Sequence, residues 1–502
     1  MSRSIRPARA GVALLTPLIL GTLAAPAPAH AATSGVVKVV TDALGTRVQY
    51  VAAAGKNNLV SITRSGAKVA VSDVVPLTPG KGCKLVKGSG TRVLCSTSRS
   101  WAGVRVTLGA GNDSVINQTG LRMSADGGDG NDYLTGGSNA DDLVGGDGVD
   151  YLSGRLGNDT LSGSAGNDRV YGGPGNDSLY GQDGKDLIYG GDGNDTLRGS
   201  TGDDRLTGDT GNDDLDGGAG DDWHSGGSGN DRFPAPWTAG PDADYYGGGS
   251  GWDTISYATR TTDVTIALDG MLGNDDGADG EHDTVGSDVE GLTGGHGADR
   301  ITGTDNAETI HGGGGDDVID ARGGDDVIVG EDGADVIDAG AGDDRVTGDG
   351  HRYATPATWP DTLHGGPGVD TLSYGEGAES ISVDLNGSAA GSALNEGDIV
   401  DDAFENAEAT VVSGPAVFTG NAAGNVFLGG GKGTTMYGRS GNDTLTTWDG
   451  GAKLYGEEGD DTLVVRKAGV QAVDANLLDG GADSDTCVTP WPDRDTLTAC
   501  EH

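Results

Sequence analysis

Aspartate recurs at every ninth residue over a long stretch of the chain, a spacing at which stacked turns would bring carboxylates together. Carboxylates and backbone carbonyls are the ligands that Ca²⁺ takes in irregular six- to eight-fold coordination, whereas Mg²⁺ demands a tighter octahedron. Zinc and copper favour His or Cys, which this pattern does not supply. The spacing therefore predicts multiple Ca²⁺ sites, and the candidate ligands of its unbroken stretch are Asp132, Asp141, Asp150, Asp159, Asp168, Asp177, Asp186, Asp195, Asp204, Asp213, Asp222 and Asp231.

Further aspartates stand at the same place of similar blocks later in the chain. Such blocks run from Gly248 to Ser256, from Gly294 to Thr347 and from Gly365 to Ser373, and looser ones lie between Gly420 and Val464. Four blocks carry another residue at the aspartate place, so we expect fewer sites there: Glu308, Asn425, Thr434 and Ala452. The remaining candidate ligands are Asp253, Asp299, Asp317, Asp326, Asp335, Asp344, Asp370, Asp443 and Asp461.

The elements that must position these aspartates follow from the rest of the period. Residues 127–234 divide into twelve blocks of nine, of which the first reads GGDGNDYLT. Each block begins with Gly, which permits positive φ and a tight turn, and its eighth place is apolar except at His224. The x-apolar-x ending suits a short strand with one side chain inside. Two blocks make one coil, and alternate aspartates should line opposite edges of the stack.

The block GGxGxDxUx resembles the nonapeptide of the repeat-in-toxin (RTX) family, whose parallel β-helix binds calcium. The resemblance covers roughly half of the chain. It implies an all-β fold, a right-handed parallel β-roll built from these nonapeptides. It also implies that Ca²⁺ is the bound ion and that the aspartates above are its ligands.

Composition predicts that this fold depends on the ion. The chain has 77 acidic and 32 basic residues, for a net charge of −45, so repulsion between stacked carboxylates opposes folding. One apolar residue in nine is too little burial to offset the entropy of ordering a chain with 95 Gly. We therefore expect Ca²⁺ binding and folding to be coupled. The same charge argues against nucleic acid as a partner and against membrane insertion.

The N-terminus predicts export. Arg3, Arg6 and Arg9 precede an apolar run over residues 10–25, and Ala29-His30-Ala31 matches a signal peptidase site, so residues 1–31 read as a Sec-type signal peptide of a secreted, extracellular protein. A membrane anchor is disfavoured because Pro17 breaks the run, which is also shorter than a bilayer span. In an oxidising compartment the cysteines should form local disulfides, Cys83 with Cys95 and Cys487 with Cys500.

A longer duplication lies over the short period. GGSGWDTISY, ending at Tyr257, recurs as GGPGVDTLSY, ending at Tyr374. Acidic residues in the following segments also correspond: Glu281, Asp283 and Glu290 with Glu396, Asp398 and Glu405. These acids form either extra cation sites or solvated loops. The predicted divisions are signal peptide 1–31, N-terminal β cap 32–107, roll 108–256, β linker 257–293, roll 294–373, β linker 374–419, and a degenerate roll 420–502 closed by the second disulfide.

Motifs for catalysis are absent from the sequence, which contains neither H-E-x-x-H nor G-x-S-x-G. Trp237 and Trp359 stand in Pro-containing insertions where an aromatic ring could stack on a sugar, although packing against the roll is favoured. The sequence thus predicts a secreted, noncatalytic calcium-binding protein. The alternatives are a calcium-dependent adhesin or matrix protein with an extracellular glycan or cell-surface partner, and a polysaccharide lyase or epimerase.

Overall fold

A computed structural model describes residues 34–235, 242–270, 276–278, 281–349, 359–374, 381–386, 392–393, 398–409, 415–429, 433–448, 450–466 and 474–501. The predicted signal peptide and Trp237 lie outside the described residues. Every regular element in the described part is a β-strand. Within that part, no helix has the length and apolar character needed to cross a bilayer.

The N-terminal strands form two small antiparallel groups, β1 with β2, and β3, β4, β7 and β6 in that order. The predicted disulfide between Cys83 and Cys95 is present and joins β6 to β7. The strands are β1 (Gly35–Asp42), β2 (Gly45–Val51), β3 (Leu59–Ser65), β4 (Lys68–Ser72), β5 (Leu77–Pro79), β6 (Cys83–Leu85) and β7 (Arg92–Ser96).

Short strands then alternate between two parallel sheets. Each pairs with the strand two places further on, and most do so in a register of 18 residues, as in Leu143 opposite Leu161 and Leu161 opposite Leu179. The register is 19 residues at Val104 opposite Met123 and 22 residues at Trp223 opposite Tyr245. The predicted parallel β-roll with two blocks per coil is confirmed. Its strands are β8 (Trp101–Ala110), β9 (Ser114–Asn117), β10 (Met123–Asp129), β11 (Tyr133–Thr135), β12 (Asp142–Asp147), β13 (Tyr151–Ser153), β14 (Thr160–Ala165), β15 (Arg169–Pro174), β16 (Ser178–Asp183), β17 (Leu187–Asp192), β18 (Thr196–Thr201), β19 (Arg205–Thr210), β20 (Asp214–Ala219), β21 (Trp223–Ser228), β22 (Arg232–Pro234), β23 (Tyr245–Ser250) and β24 (Thr254–Ser256).

The same stacking continues through the segments predicted as linkers. On one side of the roll, β24, β28, β30, β32, β34, β36 and β40 follow one another in parallel. On the other side β25 and β37 start new sheets, and each is paired with a short antiparallel strand. These strands are β25 (Val264–Ala267), β26 (Gly277–Ala278), β27 (Thr284–Val285), β28 (Gly291–Thr293), β29 (Arg300–Thr302), β30 (Thr309–Gly314), β31 (Val318–Asp320), β32 (Val327–Asp332), β33 (Val336–Asp338), β34 (Arg345–Thr347), β35 (Thr362–His364), β36 (Asp370–Tyr374), β37 (Ile381–Asp384), β38 (Ser392–Ala393), β39 (Ile399–Val400) and β40 (Phe404–Ala409).

The last strands add further coils and end at the second predicted disulfide, Cys487 with Cys500, which is also present. They are β41 (Ala416–Thr419), β42 (Val426–Gly429), β43 (Thr435–Ser440), β44 (Thr444–Thr447), β45 (Lys453–Glu458), β46 (Thr462–Val465), β47 (Leu477–Ala482), β48 (Thr486–Val488) and β49 (Thr496–Thr498). Parallel pairing of β40, β42, β44, β46 and β48 connects them to the preceding coils. The boundaries between rolls and linkers stay predictions.

The core of the roll is one row of stacked side chains from each sheet. The eighth residue of each block points inward, and Leu134, Leu152 and Val170 on one sheet face Leu143 and Leu161 on the other, all fully buried. Its two neighbours in the strand face outward, which is why each strand buries so little. Because the core is one side chain wide on each sheet, the turns at the two edges supply much of the packing.

Candidate metal sites

The aspartates of the repeat form two hydrogen-bonded ladders, one along each edge of the roll. The backbone N–H of each aspartate donates to Oδ1 of the aspartate one coil further on, as from Asp150 to Asp168 and from Asp168 to Asp186, both at 2.7 Å. The other edge repeats this from Asp159 to Asp177. Alternate aspartates therefore line opposite edges, as the two-block coil predicts.

The second carboxylate oxygen of these aspartates is buried without a hydrogen bond. Oδ2 has no partner among the described residues in any of the 21 predicted ligands except Asp141 and Asp299. A buried carboxylate oxygen that lacks a donor is strongly destabilising unless a cation compensates it. The ladder thus fits a bound cation.

Backbone carbonyls meet these oxygens between successive coils. A Cβ added to Gly127 would lie 2.2 Å from Asp132 Oδ2 and 2.4 Å from the carbonyl oxygen of Gly145, so oxygens of two coils converge on one place. The same convergence occurs at Gly172, with Asp177 Oδ2 and the carbonyl oxygen of Gly190. Carboxylate and carbonyl oxygens are the donors that Ca²⁺ prefers. These are the groups that would hold the ion.

The first glycine of the block therefore serves a different purpose from the one that the sequence predicts. It leaves room for the aspartate and the next coil, whereas positive φ falls at the second and fourth places, as at Gly173 (φ 109°) and Gly175 (φ 148°). The second place also accepts side chains, such as Ser164 at φ 90°. The fourth place is stricter, because a Cβ on Gly166 would lie 1.4 Å from the carbonyl oxygen of Gly148.

Asp141 and Asp299 differ because of their second-place glycines. Neither Gly137 nor Gly295 has a positive φ. Each instead turns its N–H toward Oδ2 of its own block's aspartate. At these two places the carboxylate is already satisfied by the backbone, so they are the weakest of the predicted ligands.

Burial and neighbouring carboxylates make the ladder costly to charge. Burial, together with the charges of Asp195 and Asp159, raises the pKa of Asp177 to about 7, while the hydrogen bond from the Asp159 N–H opposes the rise. Burial likewise raises the pKa of Asp168 to about 6. The largest rises are at Asp222 and Asp361, to about 9, again mainly from burial. A bound cation would remove this cost by neutralising the carboxylates.

Four ladder aspartates escaped the sequence prediction: Asp113, Asp244, Asp361 and Asp485. Each lies in the ladder, since Asp113 N–H donates to Asp132 Oδ1 and the others accept at Oδ1 from the preceding coil. Three of them stand at the sixth place of a block with an altered start, such as LGAGNDSVI, and Asp485 stands at the sixth place of GGADSDTCV, so the aspartate place alone could have revealed them.

A second ladder runs beside the first and was not predicted. The side chain of the fifth residue accepts the N–H of its equivalent one coil later, as Asn176 Oδ1 from Asn194 and Asn194 Oδ1 from Asn212. It thus runs in the opposite direction to the aspartate ladder. The signal was the Asn-Asp pair that many blocks share.

The substituted blocks behave as expected for weak sites. Glu308 keeps its N–H bond to Asp326 Oδ1, but its own carboxylate accepts from Thr304. Asn425 Oδ1 accepts the Asn421 N–H, and Ala452 offers no side-chain oxygen. The later coils therefore contain fewer free carboxylate oxygens.

The structure also places two further residues that the sequence singles out, Trp359 and His224. Trp359 is 39% exposed, so the predicted packing of its ring against the roll is incomplete. His224 is buried in the row of core side chains, where it stacks on Tyr246 with ring centroids 4.6 Å apart. His224 therefore takes the place of an apolar core residue.

A parallel β-roll with carboxylate-lined turns defines the class of this protein. The family model described as "RTX calcium-binding nonapeptide repeat (4 copies)" matches residues 126–161, 162–197, 198–233, 293–328, 302–337, 320–350, 360–378 and 428–463. The chain accordingly contains RTX calcium-binding repeats, and these support a calcium-binding role. A search of curated proteins found no match.

Proposed function

We propose that the protein is a secreted, noncatalytic calcium-binding protein whose roll folds when its turns bind Ca²⁺. The observation that carries the proposal is the pair of roles that the ladder carboxylates have at every predicted ligand except Asp141 and Asp299. Oδ1 links one coil to the next through a backbone N–H, while Oδ2 is buried with no partner among the described residues. The hydrogen bond to Oδ1 forms only in the folded roll, and the buried, charged Oδ2 destabilises that roll until a cation neutralises it.

Export supplies the condition under which this coupling operates. Residues 1–31 have the composition of a cleaved signal, and the two disulfides suit an oxidising compartment. Low cytosolic calcium would keep the roll unfolded until it meets calcium outside. The intact mass of protein recovered from the medium tests this part, because cleavage after Ala31 fixes the mass of the exported chain.

The central test is a calcium titration of the purified protein, followed by far-UV circular dichroism and calorimetry, with Mg²⁺ as the control ion. We expect a cooperative gain of β signal and many ions bound per chain with Ca²⁺, and neither with Mg²⁺. A β signal that is already complete in chelator would refute calcium-coupled folding.

A second candidate function, calcium-dependent adhesion, is favoured by one face of the roll. The outward places of the odd-numbered strands β11 to β23, which form one sheet, carry six aromatic residues. The outward places of the even-numbered strands β12 to β22, on the opposite sheet, carry only Tyr180 in the described residues. Several of these rings stack in series, such as Tyr171 and Tyr189 with centroids 5.0 Å apart. The six are Tyr133, Tyr151, Tyr171, Tyr189, Trp223 and Tyr245.

Pull-down on insoluble cell-wall polysaccharides, in calcium and in chelator, separates this candidate from the first. Adhesion predicts calcium-dependent retention that is lost when Tyr171 and Tyr189 are replaced by Ser and kept when Ser162 and Arg198 on the opposite sheet are replaced by Ala. Equal retention of both variants would remove the aromatic face from consideration.

A further inference from the structure

Residues 257–293 interrupt the nine-residue repeat and are called the first inserted segment. Three buried carboxylates meet where this segment joins the roll. Asp242 and Asp244 precede β23, and Asp283 precedes β27. One carboxylate oxygen of each lies within 4.8 Å of the other two, and the residues are 5%, 6% and 0% exposed. All three lie outside the 21 predicted ligands, although the sequence marks Asp283 as part of either an extra cation site or a solvated loop. Asp283 comes from residues 257–293, which lack the nine-residue repeat.

A fourth carboxylate beside this group lacks a partner. Asp222 is 3% exposed, and its Oδ2 has no hydrogen bond within the described part of the chain. Its backbone N–H donates to Asp244 Oδ1 at 2.8 Å, and the charges of Asp244 and Asp242 act directly on its carboxylate. An open cavity of about 540 Å³ is lined in part by Asp222, Asp244 and His282.

The nearby arginine is already committed to another carboxylate. Arg260 is 2% exposed and donates to Glu281 Oε1 at 2.6 Å, with its guanidinium over the ring of Tyr257. Tyr246 and Tyr257 donate their hydroxyls to Asp244 Oδ2 and Asp283 Oδ2. These neutral donors do not balance the charge of the group. The junction therefore retains an excess of buried negative charge.

The second inserted segment, residues 374–419, repeats the hydrogen bonds of the first, although among the described residues three carboxylates lie within 4.8 Å of one another only at the first junction. Asp335 N–H donates to Asp361 Oδ1 at 2.9 Å, and Asp361 N–H to Asp398 Oδ1 at 3.1 Å. At the first junction the corresponding bonds run from Asp222 to Asp244 and from Asp244 to Asp283, at 2.8 and 3.0 Å. Asp361 is 1% exposed, its Oδ2 lacks a partner among the described residues, and the charges of Asp349 and Asp398 act on it.

We propose that each junction is a separate cation site in which an inserted-segment aspartate, Asp283 or Asp398, joins roll aspartates around one hard divalent ion of the Ca²⁺ class. The all-oxygen ligands exclude a site built for zinc or copper. The ion would fasten each inserted segment to the edge of the roll. The inference rests on the proposed function only in requiring a folded roll, which brings Asp244 to Asp283 and Asp361 to Asp398.

Isosteric variants test this inference: Asp283→Asn, Asp398→Asn and the double variant, with Asp263→Asn as the matched control. The amide oxygen of Asn can still accept the ladder N–H, so the changes remove charge and leave the linking bond. Asp263 is an exposed acid on the same inserted segment whose Oδ1 accepts the Ala298 N–H, so its variant removes a charge outside the junction.

Native mass spectrometry of the calcium-loaded full protein counts bound ions, and proteolysis within residues 257–293 and 374–419 reports how firmly each inserted segment is held. We expect one ion fewer in each single variant and two fewer in the double variant, with unchanged β signal and faster cleavage of the affected segment in calcium. In chelator the same variants should be cleaved no faster than the wild-type protein, because a lost charge there only relieves repulsion.

The outcomes separate this inference from the proposed function. Unchanged ion counts in the variants, with the roll folded and loaded, would overturn the junction sites alone. A β signal that is independent of calcium, together with the loss of two ions in the double variant, would overturn calcium-coupled folding and support the junction sites. A wild-type protein that binds no calcium would overturn both.

Discussion

Protons should replace calcium in folding the roll. Burial raises the pKa of Asp132 and Asp204 to about 7 and that of Asp150 to about 6, whereas an unfolded aspartate titrates near 3.8. Between these values the folded chain binds more protons than the unfolded chain. The contribution of these groups to stability is therefore full below a pH of about 4 and is lost as pH rises through 6 to 7.

The magnitude is large because the effect repeats at every turn. A pKa difference of two to three corresponds to about 3 to 4 kcal/mol per aspartate, which solvent screening at the edge of the roll reduces to about 1 kcal/mol or more. Eleven ladder aspartates over residues 127–234 have a pKa raised to about 6 or more, and together they contribute on the order of 10 kcal/mol, comparable with the whole stability of an ordinary domain. A calcium-free roll that is unfolded at pH 8 should thus gain its β structure near pH 5.

Circular dichroism of calcium-stripped protein between pH 8 and 5 measures this effect, with sedimentation to exclude aggregation near the pI of 4.1. The calcium requirement should move the opposite way, to higher concentrations at acid pH, because protons compete for the same oxygens. A β signal that stays flat between pH 7 and 5 without calcium would show that buried charge is not what holds the roll open.

Two further predictions concern single turns. Asp177→Asn keeps the hydrogen bond that the Asp159 N–H donates to the side-chain oxygen but removes a buried charge. It should therefore raise the calcium concentration at the midpoint of folding and lower the amount of osmolyte needed to fold the chain in chelator. A shift of the same sign in both would contradict the dual role of the carboxylate. Gly166→Ala should destabilise the calcium-loaded roll by about 3 kcal/mol or more in thermal melts, because the added Cβ would collide with the Gly148 carbonyl oxygen. Ser164→Gly removes a side chain from a residue with positive φ, and it should stabilise the roll by about 1 kcal/mol. Equal effects at these two places would refute the assignment of φ and space to different glycines.

The fold was predictable because its period is written into the residues. The eighth-place apolar residue and the sixth-place aspartate fix the strand, the turn and the two-block coil, and they did so for Leu143, Leu161 and Leu179 in register. The disulfides followed from the short spacing of each cysteine pair. These features depend on local spacing alone, which a single sequence contains in full.

The features that the sequence did not reveal depend on contacts between coils. The reason for the first glycine is the carbonyl of a residue 18 positions away, and no local propensity encodes that contact. The same holds for Asp244 and Asp361, whose blocks begin without glycine, and for Asp283, which reaches the ladder from a segment without the period. Where the repeat is interrupted, the partner is set by three-dimensional stacking and not by spacing.

The first coil of the roll rests on strands that lie outside the nine-residue repeat. β8 and β9 pair in parallel with β2 and β3, so the antiparallel N-terminal strands continue directly into the two sheets of the roll. That region has its own core, including Val48, Ile62 and Val69, and is closed by a disulfide. In a stack where each coil contacts only its neighbours, a coil on an existing template avoids the cost of nucleation. We therefore expect the coils of the roll to add to the edge that the N-terminal strands supply, so that folding proceeds from this end.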